Sequence, residues 1–479
     1  MKAEEYGKFF TGCAAAGVEE VLAEKEDRAH RQRELLDQFG SPVLCLTLNI
    51  PGAYKCFPLA RRCFFEGLEA LKRCLRAEGI IIRHEETGEG IAGYRAFIAA
   101  GGEGLCLKEL AVYIEEQHPL GRLFDIDVLE ERGKISRTAL KAGERKCLIC
   151  KGSAFACGRS RAHGLEELTG AVIKIMENFF REKLGTIISG AALGALMGEA
   201  AITPKPGLVD RANTGAHRDM DFFTFINSSA AIIPYFRDCA LAGFESAPIP
   251  DEKTAETPAP EKTPGPVELF NSLRRGGKIA ELTMREASGG VNTHRGLIFS
   301  LGILSAAYGR RYRYDEKPGL RDLLALCRLM TTRLYDDFSQ APGTAPRPSH
   351  GEALYARYGI GGIRGEVFRG FPTVQDLSLP ALRRLLDEGY SLNDAGVAVF
   401  LLLLAHTEDT NIVHRSSPEV LKRIQENAAA FLAAKPAVEE MRKKAAELDG
   451  EFISLNISPG GSADLLAVTL FLYRLLYLK

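Results

Sequence analysis

The chain of 479 residues lacks an excess of charge of either sign and a long uninterrupted apolar run. Lys and Arg number 61 against 62 for Asp and Glu, so the formal net charge is −1. This balance excludes a protein that binds nucleic acid or a membrane over its whole surface, and any anion site must come from a local cluster. The most apolar runs, 395–405 and 463–478, are too short or are interrupted by charges, whereas about 18 uninterrupted residues are needed to span a bilayer.

The cellular compartment is predicted from two further absences. The first twenty residues contain four glutamates and no apolar segment of the kind found in a signal peptide. The 11 cysteines are an odd number in a long chain and do not form the dense framework of a small secreted domain. We therefore expect a cytoplasmic, globular protein that binds neither a membrane nor nucleic acid.

The pattern of apolar residues changes near residue 180. Before it, short β-branched runs alternate with helical spacing, and nine of the 11 cysteines lie before residue 158. Strands are predicted at 43–50, 79–82, 94–100 and 123–129, with a turn at 87–90 and helices at 59–76 and 105–116. Later helices are predicted at 186–201, 297–308, 320–335, 393–406, 418–448 and 462–478. The sequence thus predicts a multidomain protein with an α+β domain at 1–178 and an all-α domain at 183–479. A segment with six prolines, 246–266, is predicted to be a disordered loop inside the second domain.

Asp125 and Asp127 are the strongest chemical signal in the first domain. Residues i and i+2 of a strand point to the same face, so both carboxylates can converge on one site. Two hard oxygen ligands suit Mg²⁺-assisted transfer of a phosphate-bearing group. Basic residues nearby, Arg122, Arg137 and Arg145, favour this interpretation over its alternative, the polar face of an edge strand.

A cysteine-rich segment follows, with the spacing Cys147-x₂-Cys150-x₆-Cys157-x₅-His163. This spacing could wrap a tetrahedral zinc ion. The segment also contains arginines, and cysteine is common throughout this half of the chain. Small buried cysteines beside an anion-binding strip of Arg and His are therefore our preferred interpretation.

The order of these motifs resembles a known family. Residues 49–52 (NIPG), 86–88 (ETG), 121–130 (GRLFDIDVLE), 134–137 (KISR) and 145–168 (RKCLICKGSAFACGRSRAHGLEEL) are similar to the citrate lyase holo-acyl-carrier-protein synthase, a phosphoribosyl-dephospho-CoA transferase. The resemblance implies a nucleotidyltransferase-like domain in which a serine of the apo acyl carrier protein attacks the α-phosphate of the donor and pyrophosphate leaves. It also implies that Asp125 and Asp127 hold the metal, and it suggests donor contacts by Arg137, Arg159, Arg161 and His163.

Polar loops between the predicted helices are the main signal of the second half. A proline-stiffened turn presents Lys205, and Asn213, His217, Asp219 and Asp221 follow shortly after it. Each residue alone is explained by turn or capping chemistry. A lysine, a histidine and several carboxylates in one short stretch are harder to attribute to caps. Glycine-rich or polar loops recur at 289–296, 361–366, 408–415 and 456–464, a composition that suits a polyphosphate.

These loops resemble the triphosphoribosyl-dephospho-CoA synthase family, which includes a malonate decarboxylase counterpart. The similar segments are 199–225 (EAAITPKPGLVDRANTGAHRDMDFFTF), 289–296 (GGVNTHRG), 358–374 (YGIGGIRGEVFRGFPTV), 408–415 (EDTNIVHR) and 456–467 (NISPGGSADLLA). Arg295 stands where the family pattern has lysine, and Ser416-Ser417 replaces a glycine pair. The resemblance implies that ATP and 3′-dephospho-CoA give the triphosphoribosyl adduct and adenine.

Residue roles follow from that implied reaction, which needs carboxylates, cations and acid–base groups. Metal or base roles are predicted for Asp219, Asp221, Asp409 and Asp464. Phosphate contacts are predicted for Lys205, Arg295, Arg364 and Arg415. Acid–base roles are predicted for His217 and His294, and further substrate contacts for Asn213, Asn292 and Asn411.

Three alternatives stay open at the level of sequence. The helical domain could be a Mg²⁺-dependent N-glycosyl hydrolase of the ADP-ribosyl type, which would need no dephospho-CoA. The chain could be a nucleotide-binding regulator or scaffold, which would release no adenine. The carrier could belong to malonate decarboxylase instead of citrate lyase.

Overall fold

The computed structural model describes residues 7–248, 264–334 and 350–478. Its contacts divide the chain into two compact units, the first ending at Glu182 and the second beginning at Lys183. The division falls inside one helix, Leu165–Ala201.

The first unit contains an antiparallel sheet and several helices. Its strands are β1 (Val43–Leu48), β2 (Ile82–Gly90), β3 (Gly93–Ala100), β4 (Phe124–Glu130) and β5 (Gly133–Lys134). Its helices are α1 (Val18–Phe39), α2 (Pro58–Ala77), α3 (Gly104–Gln117), α4 (Ala154–Ser160) and the first half of α5 (Leu165–Ala201). The strand order is β2-β3-β1-β4-β5, and all pairs are antiparallel.

Both faces of this sheet are covered. On one face, Leu35 of α1 packs against Val43, Cys45 and Phe97 of the central strands. On the other face, α2 approaches so closely that a β-carbon at Gly67 would lie 2.7 Å from the ring of Phe124. Helices on both faces bury the apolar residues of every central strand.

Two sequence predictions for this unit were wrong in detail. Residues 79–82 were expected to form a strand and 87–90 a turn, but β2 begins at Ile82 and continues to Gly90, which pairs with Gly93. The chain reverses at the next two residues because Gly93 takes the φ of +133° that this reversal requires. Helix α1 was not predicted, since it is rich in charged residues and buries only Leu35.

The second unit is helical, and the structure shows no strand among its described residues. Its helices after α5 are α6 (Phe222–Ser246), α7 (Pro266–Ala287), α8 (Arg295–Tyr312), α9 (Leu320–Met330), α10 (His350–Tyr358), α11 (Gly362–Arg369), α12 (Leu379–Asp387), α13 (Leu392–His406), α14 (Thr410–Arg415), α15 (Pro418–Ala433), α16 (Val438–Ser454) and α17 (Gly460–Leu476). A π-helical turn, Val374–Ser378, precedes α12. The expected helical domain is thus confirmed.

Helices α6 and α8 cross at their backbones. A β-carbon on Gly243 would overlap the carbonyl oxygen of Ala306, and one on Gly309 would overlap that of Ala240. Small residues on both helices make this close approach possible near the C-terminal ends of α6 and α8.

Several helix boundaries differ from the sequence predictions. The predicted helix 418–448 is two helices, because Pro436 lies between α15 and α16 and cannot continue a helix. The predicted helix 320–335 ends at Met330. Of the predicted disordered loop 246–266, residues 249–263 lie outside the described residues, and Ser246 and Pro266 belong to helices.

Helix α5 also corrects the prediction that no segment has the length of a membrane span. Among the described residues it is the one helix long and apolar enough to cross a membrane by length and composition. Half of its most apolar window is buried against the rest of the protein, as in the core helix of a globular protein.

Candidate active sites

Strand β4 places Asp125 and Asp127 on one face of the sheet. Along this strand Phe124, Ile126 and Val128 are buried and the two aspartates between them are partly exposed. Burial, and next the negative charge of Asp127, raise the pKa of the Asp125 carboxyl above its usual value. Lys134 Nζ lies 2.7 Å from Asp127 Oδ1, and Arg145 Nη2 lies 3.5 Å from Asp125 Oδ1. The two carboxylates therefore share one face of the strand, as the alternation in the sequence predicted.

A third carboxylate, Glu115 of helix α3, hydrogen-bonds to the backbone of β4. It was not predicted from the sequence. Its side chain is 3% exposed, and Oε1 accepts a hydrogen bond of 2.9 Å from the backbone N–H of Ile126. Arg137 Nη1 lies 2.6 Å from Glu115 Oε2, and Arg145 pairs with the same carboxylate. Only its position on the side of helix α3 that faces β4, the strand that carries the aspartates, could have identified Glu115.

The predicted donor contacts of this unit occupy three different environments. Arg137 is engaged by Glu115 and by Glu116. Arg159 and Arg161 are exposed at the end of helix α4. His163 lies instead among Cys147, Cys150 and Cys157, within 4.8 Å of their sulfur atoms. Of these three cysteines only Cys147 is buried, so our interpretation of them as buried core residues was wrong for the other two.

A cavity of about 500 Å³ in the second unit gathers most of the predicted residues of that half. They are Lys205, His217, Asp219, Asn292, His294, Arg295, Arg364, Asn411, Arg415 and Asp464. The cavity also contains residues that were not predicted, namely Glu199, Glu281, Tyr355, His414 and Ser458. Its volume is in the range of small-molecule and cofactor sites.

Two carboxylates line this cavity, the partly buried Asp464 and the buried Glu199. Asp464 lies against the backbone of Gly296 at the start of α8 and makes no hydrogen bond or ion pair with a residue that the structure describes. Burial, then the negative charges of Glu199 and Asp409, raise its pKa well above the usual value. Glu199 pairs with Lys205, whose Nζ also donates a 2.8 Å hydrogen bond to the backbone oxygen of Glu199. Lys205 is 1% exposed, so its ammonium is committed to this pair.

Both predicted histidines are held neutral. Burial, and next the positive charge of Arg415, lower the pKa of His217 to about 4. Its Nε2 lies 2.8 Å from Ser458 Oγ, and Arg415 Nη2 lies 3.3 Å from Nδ1. Burial also lowers the pKa of His294 to about 4, and its Nε2 lies 3.0 Å from Ser229 Oγ. Neutral imidazoles accept protons but are poor acids at pH 7.

Three predicted residues do not line the cavity. Asp221 caps helix α6, accepting a 2.8 Å hydrogen bond from the backbone N–H of Thr224. Asp409 is fully buried and caps helix α14, and its Oδ2 accepts a 2.8 Å hydrogen bond from the backbone N–H of Ser462. Asn213 donates to Asp449, 2.8 Å away. No three of the four predicted metal carboxylates come within 4.8 Å of one another, because two of them serve as helix caps.

Comparison with known families gives two matches that together cover almost the whole chain. Residues 16–179 match the apo-citrate lyase phosphoribosyl-dephospho-CoA transferase family. Residues 186–479 match the ATP:dephospho-CoA triphosphoribosyl transferase family. Both families are transferases, so the hydrolase alternative has no support here.

Curated relatives show the same arrangement. Protein CitXG of Haemophilus influenzae is 33% identical over 97% of this chain and 98% of its own length. Protein CitXG of Leuconostoc mesenteroides is 30% identical over 98% and 99%. The 2-(5″-triphosphoribosyl)-3′-dephosphocoenzyme-A synthase of Pectobacterium atrosepticum is 37% identical over 64% of this chain and 95% of its own length. The chain therefore belongs to the family of fused proteins in which an apo-citrate lyase phosphoribosyl-dephospho-CoA transferase precedes an ATP:dephospho-CoA triphosphoribosyl transferase.

Proposed function

We propose that this chain makes the prosthetic group of citrate lyase in its second unit and attaches it to the acyl carrier protein in its first. In the first reaction the 2′-hydroxyl of the dephospho-CoA ribose attacks the anomeric carbon of ATP. The bond to adenine breaks, adenine leaves with the proton that the hydroxyl gives up, and the triphosphate is retained. The observation that carries this proposal is the cavity whose lining combines the carboxylates of Glu199 and Asp464 with Arg295, Arg364 and Arg415.

The cavity residues fit the charge changes of that reaction. The anomeric carbon gains positive character as adenine departs, and the carboxylate of Asp464 stabilises it. The three arginines bind the triphosphate, since Lys205 is committed to Glu199. Neutral His217, kept unprotonated by burial and next by the positive charge of Arg415, is our candidate to accept the proton of the attacking hydroxyl.

Magnesium fits the residues present in both units. In the second unit, Asp464 is a carboxylate without a protein partner among the described residues, and with Asp219 it would hold the ion. In the first unit, Asp125 and Asp127 share one face of β4, and their mutual repulsion would be relieved by a divalent cation. The ion would neutralise phosphate charge in each site.

The second reaction belongs to the face of β4, which we take to be a nucleotidyltransferase-like site. The carrier serine attacks the α-phosphate of the donor, the bond to the β-phosphate breaks, and pyrophosphate leaves. Arg145, adjacent to Asp125, and the exposed Arg159 and Arg161 are our candidates for binding the donor phosphates. We place the protein in the cytoplasm, where ATP and dephospho-CoA are available.

One incubation tests this function. The full chain is mixed with ATP, dephospho-CoA and Mg²⁺, and adenine and the adduct are followed by mass spectrometry. Apo carrier protein of citrate lyase is then added, and its mass should rise by the phosphoribosyl-dephospho-CoA group as pyrophosphate appears. Ribosyl triphosphate formed without dephospho-CoA, or a carrier of unchanged mass, would contradict the proposal.

A further inference from the structure

A compact cluster of four side chains in the first unit takes no part in the function proposed above. Cys147, Cys150, Cys157 and His163 each offer a ligand atom, and the four atoms all lie within 4.8 Å of one another. All the cysteines are free thiols, and the sulfur atoms of Cys150 and Cys157 are 3.4 Å apart. We propose that these four residues bind a structural zinc ion.

The local fold brings the ligands together from three short pieces of chain. Residues 147–152 form a tight reversal in which the N–H of Cys147 donates a 2.6 Å hydrogen bond to the carbonyl oxygen of Gly152. This reversal places Cys147 and Cys150 side by side. Helix α4 begins at the next turn, with Ser153 as its N-cap, and carries Cys157. The chain leaves α4 through Arg161 in the left-handed conformation and returns with His163.

Hydrogen bonds around the ligands favour a metal. The backbone N–H of Ile149 lies 3.4 Å from the sulfur of Cys147, where it stabilises a thiolate. His163 Nδ1 lies 3.5 Å from Glu167 Oε2, whereas Nε2 is buried and makes no hydrogen bond with a described residue. A metal-binding histidine typically donates its second N–H to a carboxylate in this way. The orphaned Nε2 therefore has the environment of a ligand.

The segment around the cluster has almost no apolar core of its own. Between residues 141 and 164, Cys147 alone is buried, and Phe155 is 67% exposed. Small segments of this kind are held by a metal in place of a core. Three thiolates and one imidazole form a closed, soft, tetrahedral set, which selects zinc over magnesium or calcium.

The zinc site would act on the transferase face by holding Arg145 in position. Arg145 precedes Cys147 by two residues, donates a 3.0 Å hydrogen bond to the carbonyl oxygen of Phe124, and pairs with Glu115 and Asp125. A metal that fixes the reversal at residue 147 also fixes the backbone that delivers this guanidinium. Zinc is thus a positioning element, and the inference is independent of the proposed reactions.

The test is metal content of the full chain purified under reducing conditions without added metal. We expect about one zinc ion per chain by elemental analysis, lost in Cys150→Ser and His163→Ala and retained in His163→Cys, which supplies a fourth thiolate. Cys106→Ser is the matched control, since Cys106 is exposed on α3 outside the cluster and its loss should leave the zinc unchanged.

A second readout guards against misfolded variants. Cobalt(II) added to the zinc-depleted wild-type chain should give the visible absorption of a tetrahedral thiolate complex, and zinc should abolish it. Adenine release by the second unit reports folding independently of the metal. A chain with neither zinc nor cobalt uptake, with iron in place of zinc, or with a Cys150–Cys157 disulfide under reducing conditions would overturn the assignment, whether or not the transfer reactions occur.

Discussion

At the scale of single residues, negatively charged carboxyl groups lie near one another at the cavity of the second unit and repel one another. Asp464 lies near Glu199 and Asp409, and desolvation together with their negative charges disfavours the ionised form of Asp464 in the unliganded protein. Substrate and a cation would relieve this repulsion. Functional sites commonly lose stability in this manner, and replacing the charged group then stabilises the fold while removing activity.

Asp464→Asn should therefore abolish adenine release and raise the melting temperature of the protein without ligands. Because the folded-state pKa of Asp464 is raised, its ionisation destabilises the fold above its usual pKa. We expect a gain of about 1 kcal/mol at pH 7 that vanishes near pH 3, where the carboxyl is largely protonated in both states. Thermal unfolding at both pH values measures it.

The matched control is Asp219→Asn, since Asp219 lines the same cavity but its side chain is 64% exposed. The melting temperature of the Asp219→Asn variant should equal that of the wild-type protein. A lower melting temperature for Asp464→Asn at pH 7 would contradict the account of Asp464 as a desolvated charge repelled by its neighbours.

The low pKa of His217 predicts the acidic side of the pH profile. His217 is protonated only near pH 4, so kcat/KM for adenine release should stay level from neutral pH to about pH 5 and fall below it. Arg415→Ala removes a positive charge and should move this limb to higher pH. Arg364→Ala, a control that lacks contact with His217, should weaken substrate binding without moving the limb. A limb near pH 6.5 in the wild-type protein would exclude His217 as the buried base.

At the scale of helices and strands, the pattern of apolar residues predicted those elements that have one buried side and one exposed side. Strand β4 alternates buried and exposed residues, so its two aspartates could be placed on one face from sequence alone. Helix α1 buries a single leucine, and its pattern is therefore indistinguishable from a charged loop. Asp409 and Asp221 looked like metal ligands because a capping aspartate and a catalytic one occupy the same kind of loop, and only their hydrogen bonds separate them.

The crossing of α6 and α8 gives a prediction for this scale. Gly243→Ala places a methyl group on the carbonyl of Ala306 and should destabilise the second unit by about 1–3 kcal/mol. Gly190→Ala is the matched control, because Gly190 is exposed in helix α5 with open space around it, and alanine there should stabilise by about 0.5–1 kcal/mol. The temperature at which adenine release is lost reports both changes. Equal changes in stability for Gly243→Ala and Gly190→Ala would contradict the backbone contact between α6 and α8.

At the scale of the whole molecule, the chain joins two consecutive steps, with one candidate site in each compact unit. The motifs of both sites could be recognised in sequence because each lies in a loop or strand of unusual polarity. The buried partners Glu115 and Glu199 could not, since a glutamate on a helix is ordinarily a solvated residue and only the fold shows what it faces. The central claim is that the two chemistries use different carboxylates.

Mass spectrometry of the carrier protein with two single variants tests that claim most directly. Asp125→Asn should release adenine from ATP and dephospho-CoA but leave the carrier unmodified. Asp464→Asn should release no adenine, yet load the carrier when given the adduct purified from the first variant. Failure of Asp125→Asn to release adenine, or of Asp464→Asn to use the preformed adduct, would contradict the assignment of one reaction to each site.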